Sequence, residues 1–579
     1  MSLQLPALGN IKTKTDGVTA FAGYNHNLRI RDNEFYDMRN ITGEYLPVIA
    51  SRGRRAGLRK LTKPNGLYAH DRLCWVDGTD FYYDGNVVGQ VEDSEKTMVR
   101  MGAYVLIWPD RVYYNTHTGE FGSLGAKAVT AGTVSCTLCK ADGTAYGDYT
   151  VSADAPENPE NGTLWMDTSA TPGVLRQYSA SSAMWTSIPT VYTMISCTGI
   201  GADFAEYDGV TVSGLTNADL NGDFYLIGRG DDYVIVTALI QAAFTQTEAV
   251  TIERKVPELD YLTECDNRIW GCSSARHEIY ACALGDPKNW NQFMGLSTDS
   301  YAMTVGSAGD FTGVCTHLGA ILFFKENCIH QLMGSKPANF QLADTGCRGV
   351  AKGSERSLCV VNETLFYRSV RDVCAYGAAL PSSISSALGM ETYRNAVGGA
   401  LGSRYYVSMT GEDGASSLFV YDTATGVWCR EDDVDIRWFA ALGNELYFLD
   451  AGGVLWSVGA SGTAEYGDSA FAALEAAVEW LLETGDMGLD AAYNKYVSGI
   501  QLYAECDLGA TVCVELQYDG CGAWTEVFRS APVRRRSLVI PIIPRRCRTL
   551  RMRLHGVGGF RLYSIVRKTE AGSDIYAVR

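Results

Sequence analysis

The side chains best equipped to act on something outside this 579-residue chain are arginines. Arg534, Arg535 and Arg536 stand in a row. Arg545, Arg546 and Arg548 follow shortly after, on the far side of the apolar run Val-Ile-Pro-Ile-Ile-Pro. A guanidinium offers N–H donors in a planar fork that matches a carboxylate or a phosphate. Beside an apolar strand, such forks can pair with carboxylates of a neighbouring acidic subunit, meet DNA phosphates, or simply solubilise a strand edge. We take Arg534, Arg535, Arg536, Arg545 and Arg546 as the candidate subunit-interface residues.

A second group is aromatic. Trp165, Tyr178 and Trp185 fall within one short segment with turn signals between them. They can form a platform on which a sugar ring stacks, or they can pack the interior of a small module.

Sets that would carry catalysis are missing from the pattern. The seven histidines include no HxH or HxxxH pair, so neither a zinc site nor a nucleophile–base arrangement is expected. Cys136 and Cys139 form a CxxC, but no second pair follows, and in a strand the two thiols point to opposite faces. Asn217–Asp223 resembles a calcium loop only loosely, because the twelfth position is Gly228 and not Glu. Glu431-Asp432-Asp433 reads as a solvated turn in preference to a glycosidase pair. No phosphate loop occurs. The expectation is no cofactor, no metal and no enzyme.

The elements that must position these residues are strands. Gly is frequent (61), Tyr abundant (33) and Pro scarce (15), which suits short strands joined by tight turns. From 64 to 464 one pattern recurs: an apolar strand, a turn, and another strand. It is clearest in Gly66–Val91, where Asp-Gly occurs at 77–78 and 84–85, the strongest short hairpin signal. It recurs in Met101–Leu124, Leu259–Phe293, Gly313–Leu342, Glu355–Ile384, Gly398–Arg430 and Trp438–Val458. The fold class expected is all-β: a β-propeller of about seven blades, in two parts (64–125 and 257–464), with a stack of β-sandwiches as the structural rival. The interruption, 126–256, reads as an inserted small β domain. Residues 1–63 read as an N-terminal arm with first strands. Residues 465–579 read as a C-terminal jelly-roll-like β-sandwich, although 471–485 has apolar spacing that also fits a helix face.

Net charge is −17, but it is uneven. Residues 1–63 hold 11 Lys/Arg against 5 Asp/Glu, and residues 529–568 hold 12 Lys/Arg and no acid. An acidic body with two basic regions suggests electrostatic docking. The 17 scattered cysteines read as buried free thiols of a protein made in a reducing cytosol. No run of 18 apolar residues suggests a membrane span, and the first residues do not read as a secretory signal.

Several stretches resemble a family of phage and prophage tail proteins: 21–55, 65–85, 279–293, 483–520 and 541–565. The insert's Asn161–Trp185 is similar to small modules repeated in phage tail and fibre proteins. The resemblance implies a virion component made in the host cytoplasm. It is also similar in plan to propeller-bearing nozzle proteins, or packaged-DNA stabilisation proteins, of short phage tails. The expectation is therefore a homo-oligomer, a hexameric ring that helps close the DNA channel, joins adaptor proteins and fibres, and touches genomic DNA transiently. The rival readings are a host-surface glycan-recognition module and a propeller glycosidase.

Overall fold

The computed structural model describes residues 13–459, 466–468, 471, 473–489, 494–531 and 536–571. Among these, the regular structure is β throughout; its helical elements are four 3-10 turns of three residues each. The chain divides into two compact units. One comprises the described residues up to Glu95, Phe324–Ile329 and the described residues from Gly346 onward; the other comprises Lys96–Phe323 and His330–Thr345.

In the first unit, three of the seven expected repeats form small antiparallel sheets in sequence order. The first holds Pro64–Ala69, Leu73–Asp77, Asp80–Tyr83 and Asn86–Gln90. The turn at Asp84-Gly85 has positive φ at both central residues (51° and 82°), as a type I′ turn requires. The other Asp-Gly behaves differently. Asp77 pairs with Asp80, so the central residues are Gly78 and Thr79, and only Gly78 needs positive φ (63°). In the first sheet the second strand is the most buried. Leu73, Cys74, Trp75 and Val76 are all fully inaccessible, because both faces of that strand are covered.

The repeat at 438–458 supplies only three strands: Ile436–Leu442, Glu445–Asp450 and Val454–Ser457. Its fourth is Ala56–Lys60, which pairs antiparallel with Val454–Ser457. That strand precedes residue 64, so this sheet is completed by chain from the expected N-terminal arm. The first strands of the unit's sheets (Cys359–Val361, Tyr393–Leu401, Ile436–Leu442 and Pro64–Ala69) pack in series, each beside the next.

The C-terminal strands of this unit form two sheets, and neither is C-terminal alone. One places Ile41–Thr42 and Ile49–Ser51 beside Phe560–Ala571, Lys495–Cys506 and Arg536–Ile540. The other places Phe35–Arg39 beside Glu479–Thr484, Leu550–Val557, Thr511–Tyr518 and Thr525–Ser530. The sheets share one core, in which Trp480 stacks on Phe560 at 4.1 Å between ring centroids. The helical alternative that the spacing of 471–485 left open does not hold for Glu479–Thr484, which is a strand. It is paired on both sides, and it buries Trp480 and Leu482 on one face. Period-2 burial outweighs the helical spacing there.

In the second unit, Thr97–Met101, Tyr104–Trp108, Val112–Asn115 and Phe121–Ser123 form one four-stranded sheet; Tyr261–Cys265, Arg268–Ser273, Glu278–Ala281 and Tyr301–Thr304 form another. A third, running from Gly313 to Gly346, belongs here except for its central hairpin at 324–329 and its last residue. The first strands of these sheets also pack in series. Residues 126–254 build an eight-stranded and a four-stranded sheet around their own core of Val134, Ile195, Val212, Val234 and Ile252. Their ends meet: Ala126–Val129 pairs antiparallel with Thr251–Arg254, Ala126 opposite Arg254.

Candidate interface surfaces and cavities

The basic stretch 529–568 is not one free patch, which corrects the expectation drawn from its charge count. Arg567 sits 2.7 Å from Asp32, and Arg529 lies 2.7 Å from Glu526. Arg551 binds Asp486 at 3.0 Å and lies over the Tyr36 ring. Arg553 binds Glu483 at 2.8 Å and covers Trp524 at 4.0 Å. Arg561 faces Glu505 at 3.8 Å. These cations are neutralised inside the chain, by acids brought in from 32, 483, 486, 505 and 526.

Arg534 and Arg535 lie outside the described residues. Arg536 opens the strand Arg536–Ile540 and is exposed, opposite Ala504. Arg545 and Arg546 are exposed on the connection that follows. The Arg545 guanidinium stands 5.3 Å from the Tyr518 ring centroid, and Arg546 lies opposite Tyr496. Just before them, Ile543 is 88% exposed. The connection is tied at both ends, by Ile540 (2% exposed) and Cys547 (1%). It therefore presents an apolar tip beside arginines on a fixed base.

The aromatic trio does come together. Trp165 and Trp185 are 5.3 Å apart at 67°, and Tyr178 and Trp185 are 5.3 Å apart at 58°. Trp165 is buried, and its indole N–H donates to the Ser152 carbonyl at 3.0 Å. Steeply inclined rings with one buried member make a herringbone that packs the module; a sugar platform needs an open flat face.

The expectation for Glu431-Asp432-Asp433 is corrected as well. Glu431 is 4% exposed and accepts from Arg55 at 2.6 Å; Asp432 accepts from Arg55 and, at 3.3 Å, from Arg52. Arg52 also grips Glu475 through both ends of its fork, at 2.6 and 2.8 Å. Burial opposes the charge on Arg55, but Asp432 and Glu431 outweigh it and hold the guanidinium more firmly protonated than usual. The only hint in the sequence was the complementary charge of two segments some 380 residues apart. Within Asn217–Asp223, Ala218–Leu220 forms a short 3-10 turn capped by the Asn217 side chain, and Gly222 opens a strand. Among the described residues, no group of three or more His, Cys, Asp or Glu could hold a metal.

Two cavities stand out. In the second unit a cavity of about 840 Å³ is lined by Asp110, Arg111, Glu253, Arg276, Tyr280 and Trp290 among others. Beside it, Asp208 binds Arg254 and accepts from Asn289 at 3.0 Å. In the first unit a cleft of about 640 Å³ is lined by His26, Leu28, Tyr36, Met390, Glu391, Glu412 and Asp413. His26 stacks on Tyr36 at 4.2 Å, and Tyr393 donates to Glu391 at 2.6 Å. No signal in the sequence joins these segments, which lie more than 350 residues apart.

No family model and no curated protein matches the chain. Among solved structures it is similar to an exo-β-1,3-galactanase from Phanerochaete chrysosporium, crystallised with galactose (8% identity, 52% of this chain and 92% of that one, TM-score 0.21). It is also similar to Raptor from Chaetomium thermophilum (10%, 70% and 29%, TM-score 0.29). BamB from Moraxella catarrhalis is a third (11%, 46% and 78%, TM-score 0.21). At these identities and scores the likenesses assign neither an activity nor a partner to this chain.

Proposed function

We propose that this chain is a structural component of a phage tail, working by assembly and not by catalysis. Its small sheets are the blades of a β-propeller of about seven blades, and the jelly-roll-like sandwich is the attachment module. The chain forms a hexameric, nozzle- or hub-like ring that helps close the DNA channel and joins adaptor proteins and fibres. It resides in the virion, after synthesis in the host cytoplasm. The observation that carries this reading is the exposed apolar-and-arginine edge of the sandwich (Arg536, Ile543, Arg545 and Arg546) on a chain of net charge −17. A head-to-tail contact between unlike surfaces closes into a ring when its rotation permits. The tail-protein resemblance of 21–55 and 541–565 agrees, since both segments contribute to the sandwich sheets. The test is electron microscopy of phage particles carrying a labelled copy of this chain. Density in a ring at the tail supports the reading; particles that lack the chain overturn it.

A second reading, recognition of host-surface glycan, is favoured by the polar cavity of about 840 Å³ beside residues 126–254. It predicts that the full chain binds host polysaccharide and that Tyr280→Ala with Arg276→Ala abolishes binding. A full chain that ignores host polysaccharide removes this reading.

A further inference from the structure

Leu28 and Met390 are 90% and 91% exposed, and both line the cleft of about 640 Å³. Single exposed apolar side chains are ordinary. Two in one cleft, rimmed by Glu391, Glu412 and Asp413, make a surface with a definite complement. The walls are already set. His26 is held by stacking on Tyr36 and by its Nδ1 contact with the Tyr36 carbonyl at 2.8 Å. The turn bearing Glu412 and Asp413 is closed by a hydrogen bond from the Gly411 amide to the Ala415 carbonyl at 2.8 Å. The Asp413 carboxylate accepts from the Ala415 amide at 2.9 Å.

The same unit carries the complement. The connection Pro541–Arg546 offers Ile543 at its tip with Arg545 and Arg546 alongside. Pro541 and Pro544 limit its backbone freedom, so little conformational entropy is lost when it docks. Arg545 is steered by the Tyr518 ring beneath it. Since Ile543 is 88% exposed, this tip does not occupy the cleft of its own chain.

We propose that the occupant is a second copy of this chain: the 541–546 connection of one subunit seats in the Leu28/Met390 cleft of the next. Ile543 meets the two apolar side chains, while Arg545 and Arg546 face Glu391, Glu412 and Asp413. The contact is heterologous, with different surfaces on each copy, and so propagates head to tail. This inference rests on the ring-forming reading above and names the acceptor that the reading lacked.

The test uses the full chain, followed by sedimentation across concentration and salt. Glu412→Arg alone and Arg545→Glu alone should each raise the dissociation constant of the oligomer about tenfold or more, as loss of a partly desolvated charge pair does. Combining both in one chain should restore assembly, because the pair is re-formed with its signs exchanged. Met390→Ser and Ile543→Ser, both at exposed positions, should weaken assembly without moving the melting temperature. If the wild type assembles and the single variants assemble equally well, the contact lies elsewhere and the ring reading survives. If the single variants weaken assembly but the combined chain stays weak, the two residues are not partners. If the wild type stays monomeric at every concentration, and particles hold only one copy, the ring reading itself falls.

Discussion

Arg55 donates through Nη2 to Glu431 at 2.6 Å, with both side chains almost completely shielded from water. The pair joins the segment entering the strand Ala56–Lys60 to the one leaving Val427–Arg430, and Asp432 shares the same guanidinium. Breaking a buried pair strands the other charge without solvent. Arg55→Ala should therefore destabilise the first unit by about 3–5 kcal/mol, and Glu431→Ala by a similar amount. Urea unfolding at pH 7 reads this directly; a loss below about 1 kcal/mol for both would mean that water reaches the site.

Glu475 supplies the pH dependence. Burial alone would raise its pKa, but the fork of Arg52 outweighs burial and holds the carboxyl below its ordinary value of 4.5. A group whose folded pKa is depressed contributes stability that is complete above its unfolded pKa and is lost as pH falls through the folded one. Stability should thus hold from neutral pH to about 5.5 and decline below about 4.5. Glu475→Gln should be less stable at neutral pH and show a shallower acid decline. Parallel acid limbs in wild type and variant would assign the decline to other carboxylates.

Residues 126–256 should be removable by joining Gly125 to Pro257. The two ends already lie side by side, with Ala126 opposite Arg254, and apart from Val256, which packs with Leu259 and Trp290, the core of the segment is its own. The cost is local. Leu124 loses the donor Arg254, and Asn289 loses Asp208 and the amide of Gly209. We expect a soluble, β-rich product that melts several degrees lower, as a loss on the order of 1–2 kcal/mol implies. A product recovered only as aggregate, from a soluble parent, would make the segment part of the surrounding core.

Native-state thiol labelling should show one fast cysteine. None of the 17 is in a disulfide; Cys521 is exposed, five are half-buried and eleven are buried. Burial pushes the Cys282 and Cys429 thiols up to about 12, leaving almost no thiolate at pH 8. Mass spectrometry after brief alkylation should therefore find Cys521 modified, with the buried set reacting only in denaturant. Fast labelling of Cys282 or Cys429 would mean that their sheets open readily.

Local features were legible in advance where local chemistry decides them. Asp84-Gly85 announced its turn because few residues tolerate positive φ at two successive positions. The seven repeats announced their sheets because each hairpin pairs near neighbours in sequence. The strands at Leu164–Asp167, Val174–Ser179 and Met184–Ser187 fell where Trp165, Tyr178 and Trp185 with their intervening turns placed them. The 471–485 segment stayed open between helix and strand because its apolar positions also satisfy a helix face, and only its neighbours Phe35–Arg39 and Leu550–Val557 determine that Glu479–Thr484 runs extended.

What the sequence by itself determined is therefore the alphabet of this protein: short strands, tight turns, an acidic composition and an arginine-rich late segment. Tertiary structure decided which distant pieces share a sheet or a charge. Ala56–Lys60 completes the sheet of Val454–Ser457, and residues 13–51 supply strands to the sandwich near the other end of the chain. Asp32, Glu483 and Glu505 neutralise arginines that a count along the chain leaves unopposed. The reason is physical. Hydrophobic patterning and turn propensity act over a few residues, whereas strand pairing and ion pairing depend on distance in space, which loop closure over hundreds of residues leaves almost unconstrained.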